Sequence, residues 1–364
     1  MAITASMVKE LREMTGAGMM DCKKALTETD GNMDAAVEYL KKKGLAKADK
    51  KAGRIAAEGI VKTCVSDDGK TASIIEVNSE TDFVAKNEVF TDYVAALAKQ
   101  INENDYADVA AFNAAASAIE SSETVEEYHK SMVAKIGENL TIRRFQKVSG
   151  DVIVSYIHMG GKIGVLVEGA CDTPNDAIKD AMKNVAMQIA AMSPQYVERG
   201  EISADALAKE KEIIVDSSLN DPASLPKPLL NKLITEALEG KWNDEDKAAY
   251  EEQKNNKFLF NFLSDEAVQA LRDLAMTHKD EFLGDKIFSG LVEGRFSKHL
   301  KEICLVDQAY VRAEDKETVK QYIEKVAKEN GVNFSLKSFV RFETGEGLEK
   351  KNEDFAAEVA AQLG

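Results

Sequence analysis

The most informative segment of the chain begins Ile60-Val61-Lys62-Thr63-Cys64-Val65, turns at Asp67-Asp68-Gly69 and continues as an apolar run over residues 72–77. Both flanks of the turn are rich in β-branched residues, and an Asp-Gly pair is typical of tight hairpin turns. We therefore predict two antiparallel strands here. Apolar residues at helical spacing then predict a helix over residues 88–101.

The same order of elements returns further along the chain. Two strand patterns within residues 152–167 flank the turn Met159-Gly160-Gly161, and a helical pattern follows over residues 176–192. Each copy also contains Gly-Lys followed by an apolar run, which ends at Glu76 in the first copy and at Glu168 in the second. The repeat predicts an internal duplication and an α+β fold with two similar subdomains, each built on an antiparallel sheet.

The remaining segments divide by composition and pattern. Three short helices are predicted at the N-terminus, and further strands are predicted at residues 303–306, 310–311 and 338–343. The predicted domains are a three-helix module (1–44), a basic linker (45–58), an N-subdomain (59–148), a C-subdomain (149–195 and 296–343), a helical, coiled-coil-like protrusion (196–295) and a C-terminal module ending in a helix (344–364).

The overall charge argues against two classes of partner. The 364 residues include 47 Lys+Arg and 63 Asp+Glu, a net charge of −16. Nucleic acid and anionic membranes both attract basic surfaces, so neither is an expected direct partner. No apolar run approaches the roughly 20 residues that cross a bilayer, and the first residues contain no signal-like apolar region. Four scattered cysteines predict reduced thiols and a cytoplasmic location.

Motifs for bond-making chemistry are absent from the sequence. It contains no phosphate-binding P-loop and no Gly-x-Ser-x-Gly nucleophile turn. Its four histidines show no metal-ligand spacing. We therefore predict no catalytic residues, no metal site and no cofactor, and we expect that the protein is not an enzyme.

One connection, at residues 79–87, has two interpretations. In the first, which the pattern alone favours, Thr81 or Asp82 caps a short helix and Phe83 is an ordinary core residue. In the second, Phe83 projects outward beside the charged Asp82 and enters a partner as an aromatic hot spot. The physical chemistry of these residues does not exclude either interpretation.

The same connection, Thr81-Asp82-Phe83-Val84-Ala85-Lys86-Asn87, resembles the T-D-F-V-A-K-N signature of the bacterial elongation factor Ts family. Several other segments resemble that family in the same order along the chain. They are residues 11–26, 135–139 (Lys-Ile-Gly-Glu-Asn), His158 with 161–167, 292–295, 339–343, 345–347 and 353–359. The resemblance covers about 1–215 and 286–364, because the family pattern has a much shorter helical hairpin where this chain has residues 216–286.

The resemblance implies a guanine-nucleotide exchange factor for elongation factor Tu, the GTPase that delivers aminoacyl-tRNA. Such a factor promotes release of GDP and Mg²⁺ and stabilises the nucleotide-free GTPase until GTP binds.

The resemblance also implies which residues of this chain contact the GTPase. Those near the Mg²⁺ and GDP are Thr81, Asp82, Phe83 and Val84, with Phe83 wedged between helices of the GTPase domain. Those of the three-helix module are Arg12, Met20 and Lys23, with Met19 expected in the core. Those of the second subdomain are Ile136, Gly137, His158, Tyr310 and Val311.

Some expectations from the resemblance stay open. Phe355 and Val359 on the last helix pack either on the protein itself or on the partner. Self-association through the helical protrusion is a further expectation, because the family's hairpin is associated with it in some members. The alternative function is a non-catalytic adaptor, because the three-helix module also resembles ubiquitin-associated domains. An acidic cytoplasmic hydrolase is a more distant alternative.

Overall fold

The computed structural model describes residues 3–349, which form two compact units. The first runs from the start of the described chain to Ser193 and resumes at Gln321, and the second is Pro194–Lys320. The C-terminal helix predicted around Phe355 and Val359 lies outside the described residues.

The first unit opens with the three predicted helices. They are α1 (Ala5–Thr15), α2 (Met19–Glu28) and α3 (Met33–Lys51). The hydroxyl of Thr4 accepts the Met7 N–H at 3.3 Å at the start of α1, and Gly16 ends that helix with a φ of 66°. Leu11, Cys22 and Leu26 are fully buried between the helices. Helix α3 extends through part of the segment predicted as a linker.

The first sheet and its helices follow. The strands are β1 (Glu58–Val65), β2 (Thr71–Ser79) and β3 (Leu140–Ser149), paired antiparallel in that order. Between β2 and β3 lie α4 (Asp82–Ala85), α5 (Glu88–Glu103), α6 (Val109–Ala114) and α7 (Val125–Ile136). Helices α5 and α7 cover one face of the sheet around the buried Phe90 and Phe112. Helix α3 packs against α7, where a Cβ on Gly44 would lie 3.3 Å from the Cβ of Ala134.

The second sheet repeats this plan, so the predicted α+β fold with two antiparallel sheets is confirmed. It comprises β4 (Val152–His158), β5 (Ile163–Cys171) and β6 (Phe334–Glu343), again in antiparallel order, and α8 (Asp176–Met192) packs on it. The two sheets face each other through apolar side chains that include Val61, Ile74 and Leu166. Gly164 lies at their closest approach, because a Cβ there would lie 2.4 Å from Val61 Cγ1.

The second unit is helical. Its helices are α9 (Ala204–Leu219), α10 (Lys227–Gly240), α11 (Asp244–Gln253), α12 (Asp265–Thr277), α13 (Lys279–Gly284) and α14 (Lys286–Ile303). They enclose their own core, in which Leu233, Leu271 and Phe288 are fully buried and the Trp242 indole N–H donates to the Ala267 carbonyl at 3.0 Å. The extra segment at 216–286 therefore consists of helices that pack together. Helix α15 (Val319–Asn330) then leads to β6.

Two of the strand predictions are wrong. Residues 303–306 contain the last residue of α14 and a 3₁₀ turn over Leu305–Asp307. Tyr310 and Val311 lie in a loop beside an isolated bridge between Ala309 and Thr318. Short apolar runs do not distinguish a strand from a buried helix end, which explains the first error.

Candidate functional site

Phe83 lies on the surface, so the core interpretation of this residue is wrong. Its side chain is 80% exposed, whereas Val84 and Ala85, the next two residues of α4, are buried. A single helical turn can direct only some of its side chains toward the core. In α4 these are Val84 and Ala85, which follow Phe83 in the sequence. Thr81 begins the turn, because its hydroxyl accepts the Val84 N–H at 3.5 Å.

The turn that holds Phe83 is fixed by side chains from the end of α7. Both carboxylate oxygens of Glu138 accept hydrogen bonds from Thr81, one from its N–H at 3.0 Å and one from its hydroxyl at 2.7 Å. The neighbouring Glu80 accepts the backbone N–H of Asn139 at 2.6 Å and lies 3.4 Å from the Arg54 guanidinium. Sequence reasoning missed Glu138, Glu80 and Arg54 as parts of the site. The carboxylate inside Lys135-Ile136-Gly137-Glu138-Asn139 was the available signal.

Asp82 places a negative charge beside the exposed ring of Phe83. A hydrogen bond from the Lys86 ammonium at 2.7 Å lowers the pKa of the Asp82 carboxyl below its ordinary value. Asp82 is therefore ionised at neutral pH. The turn presents an apolar ring and a carboxylate at adjacent positions.

The structure brings Ile136 and Gly137 into the same part of the molecule as Thr81. Their assignment to the second subdomain is wrong, because Ile136 is half-buried against the core of the first subdomain and the exposed Gly137 ends α7 there with a φ of 90°. Glycine adopts a positive φ with little steric strain because it has no Cβ. The Lys51 ammonium at the end of α3 donates to the Gly137 carbonyl. One connected group of hydrogen bonds thus joins α3, the end of α7 and the turn that carries Phe83.

The three-helix module exposes the three residues expected as contacts and two methionines that were not expected there. Arg12 and Lys23 are exposed, and Met20 is 76% exposed. Met19 was predicted in the core, but it is 59% exposed. Met19 is the first residue of α2, and side chains on a helix lean toward its N-terminus, where no further turn is present to cover this one. Met14, which sequence reasoning missed, is also exposed, so methionines lie on both sides of the turn between α1 and α2.

His158 lies at the end of β4, where it is half-buried. Its Nδ1 shares a hydrogen bond of 2.9 Å with the Tyr156 hydroxyl. The next residue, Met159, is 72% exposed. The turn then closes against the first sheet at Gly161, where a Cβ would lie 3.0 Å from the Ile60 Cβ.

The structure does not place all predicted contacts in one unit. Tyr310 and Val311 belong to the helical unit, whereas Ile136, Gly137 and His158 belong to the other. Tyr310 is buried and Val311 is exposed. Phe355 and Val359 lie outside the described residues.

Across residues 3–349, no three His, Cys, Asp or Glu side chains are grouped so as to hold a metal ion. Within the same residues, every helix is too short or too polar to cross a bilayer. His129 is half-buried, and its ring nitrogens lie 2.7 Å from the Tyr93 hydroxyl and 2.9 Å from the Leu140 carbonyl. Loss of hydration around the ring lowers the pKa of His129.

Comparisons with known proteins agree on one family. The family described as Elongation factor TS matches residues 80–346. The chain is similar to elongation factor Ts of Clostridium novyi (strain NT), with 43% identity over 363 residues and 99% of both chains covered. It is 42% identical to the protein of that name from Clostridium botulinum (strain Alaska E43 / Type E3), with 100% of this chain and 99% of the relative covered. Coverage at this level means that these relatives also have a segment of comparable length to 216–286.

Proposed function

The chain belongs to the elongation factor Ts family, whose members are translation elongation factors, and we therefore propose that it is a guanine-nucleotide exchange factor for elongation factor Tu. It binds the GDP-bound GTPase, promotes release of GDP and Mg²⁺, and stabilises the nucleotide-free form until GTP enters. No covalent bond forms or breaks in this cycle. The observation that carries the proposal is the exposed Phe83, held beside an ionised Asp82 on an anchored turn.

The exposed ring supplies binding free energy that depends on the state of the partner. Covering a phenylalanine side chain contributes about 1.5–3 kcal/mol. If the ring fits between elements of the GTPase only after these elements have moved away from the nucleotide, this free energy favours the nucleotide-free state. The coupling is reciprocal, so GDP must weaken binding of the factor as much as the factor weakens binding of GDP.

Asp82 acts on the Mg²⁺ side of the nucleotide site. Protein-bound Mg²⁺ usually has few protein ligands and completes its shell with phosphates and waters, so a small displacement of nearby loops releases it. A carboxylate brought close to this shell perturbs the local charge. Asp82 is partly exposed and paired with Lys86, and it carries its negative charge at neutral pH.

Two further surfaces of the first unit widen the contact. The three-helix module offers Arg12, Met20 and Lys23 to the GTPase domain, where methionine supplies adaptable apolar surface. Ile136 and Gly137, together with His158, meet another domain of the partner.

The experiment is release of a fluorescent GDP analogue from purified elongation factor Tu, followed after addition of excess unlabelled nucleotide. We expect the full chain at substoichiometric concentration to accelerate release. Calorimetry provides the linked test, because GDP with Mg²⁺ should weaken binding of the chain to the GTPase. Unchanged release would overturn the proposal and would return attention to an adaptor that binds through the three-helix module.

A further inference from the structure

The turn that carries Phe83 is too short to hold its own shape. Helix α4 contains four residues, Asp82–Ala85, and an isolated helix of this length is unstable because nucleation costs more than one hydrogen bond returns. Its conformation therefore depends on contacts outside the turn. The contact at its start is Thr81.

Thr81 and Glu138 form a two-point contact. The Glu138 carboxylate accepts the backbone N–H of Thr81 at 3.0 Å and its hydroxyl at 2.7 Å. The same hydroxyl oxygen also accepts the Val84 N–H at 3.5 Å, so the bond that the hydroxyl donates to Glu138 also orients the cap. Hydrogen bonds to an ionised acceptor are stronger than neutral ones.

A second contact in the opposite direction lies next to the first. Glu80 accepts the N–H of Asn139 at 2.6 Å, so residues 80–81 and 138–139 each contribute one carboxylate and one backbone donor. The Asn139 side chain also donates to the Arg54 carbonyl at 2.7 Å. This reciprocal pair fixes the turn of Phe83 relative to the end of α7, where Gly137 immediately precedes Glu138.

We infer that Glu138 is a positioning residue for nucleotide exchange. It holds Phe83 at a fixed place relative to Ile136 and Gly137, so that both segments engage the partner in one encounter. The inference deepens the proposed function and rests on it. Binding surfaces held in their bound arrangement avoid the entropy cost of ordering on association, so loss of this contact weakens exchange even though Glu138 itself need not touch the partner.

The test compares Glu138→Ala and Glu138→Gln with Glu126→Ala. Glu126 lies on α7 and pairs with Lys130, so its removal is a matched control that leaves Thr81 untouched. Glu138→Ala removes both hydrogen bonds to Thr81, and we expect it to slow GDP release from elongation factor Tu at least about ten-fold, which is the effect of losing one charge-assisted hydrogen bond. Glu138→Gln should recover most of the activity because the amide oxygen still accepts the Thr81 N–H. Glu126→Ala should behave like the unmodified chain.

A double-variant cycle with Phe83→Ala separates positioning from a general structural role. If Glu138 acts through Phe83, then Glu138→Ala lowers exchange by less than about two-fold in the Phe83→Ala background. Equal losses in both backgrounds would overturn the inference, as would full activity of Glu138→Ala. Thr81→Val removes the hydroxyl bond to Glu138 together with the cap on Val84 and leaves the backbone bond in place, and it should show the same dependence on Phe83 if Glu138→Ala folds poorly. If the unmodified chain does not accelerate GDP release, the proposed function itself is refuted. That result differs from a failure of the Glu138 inference, in which the unmodified chain is active.

Discussion

Replacing the buried Glu76 should destabilise the first unit more than replacing Glu168, its counterpart in the second copy. Its side chain is fully buried on β2 and accepts hydrogen bonds from Arg143 at 3.0 Å, Arg144 at 2.6 Å and the Gly345 N–H at 2.8 Å. The Arg144 guanidinium carbon also lies 4.2 Å from the ring centroid of Phe342. Glu76 thus joins the first sheet to the segment that follows β6.

The expected cost follows from what the substitution leaves behind. Glu76→Ala leaves two arginines without their buried partner and a backbone donor without an acceptor. Breaking a buried ion pair from one side costs about 3–5 kcal/mol. For a unit of this size each kcal/mol shifts the thermal midpoint by about 2–4 °C, so we expect a shift of roughly 10 °C.

The duplicated sequence supplies the control for this experiment. Glu168 occupies the matching position in the second copy, but it is only half-buried and its described partner is the Ser338 hydroxyl at 2.6 Å. Glu168→Ala should therefore cost about 1 kcal/mol. Urea unfolding followed by far-ultraviolet circular dichroism measures both variants. If Glu76→Ala and Glu168→Ala lower the free energy of unfolding by amounts that agree within about 0.5 kcal/mol, the argument that Glu76 anchors the two sheets is refuted.

Two further predictions concern the first unit. Burial lowers the folded-state pKa of His129 below its value of 6.5 in the unfolded chain, so the unfolded state binds the proton more readily and stability should fall as the pH drops below about 6.5. Urea midpoints at pH 7.5 and 5.5 should differ less in His129→Gln, and an unchanged difference would contradict the assignment. Gly164→Ala should cost about 1–3 kcal/mol because its Cβ would overlap Val61 between the sheets. Gly290→Ala on α14, where a Cβ would meet no atom within 4 Å, should instead be neutral or stabilising by thermal unfolding.

The duplication was the most reliable prediction from sequence. The signal for it was a Gly-Lys pair followed by an apolar run that ends at Glu76 in one copy and at Glu168 in the other. In both copies this run forms a strand that pairs with its neighbours. The sheet register shifts immediately after Glu76 in one copy and immediately after Glu168 in the other. Alternating and apolar patterns extend over several residues, so they identify strands and long helices well.

The errors arose where a long-range contact decides the outcome. Thr81, which begins the turn that carries Phe83, donates hydrogen bonds to Glu138, which lies 57 positions away and outside the reach of a local pattern. The basic stretch, interpreted from the sequence as a solvated helical linker, is helical through Lys51 as the end of α3. Local patterns do not reveal the acidic partners of its lysines, such as Asp21, which pairs with Lys47.

The most direct test of the account is GDP release from elongation factor Tu with Phe83→Ala. Loss of about 1.5–3 kcal/mol of ring burial predicts release slowed by about 10- to 100-fold, with an unchanged unfolding midpoint because Phe83 contributes little to the core. Phe258→Ala, which removes a 62% exposed ring from the helical unit, should release GDP at the unmodified rate. Equal activity of the Phe83→Ala and unmodified proteins would contradict the central claim.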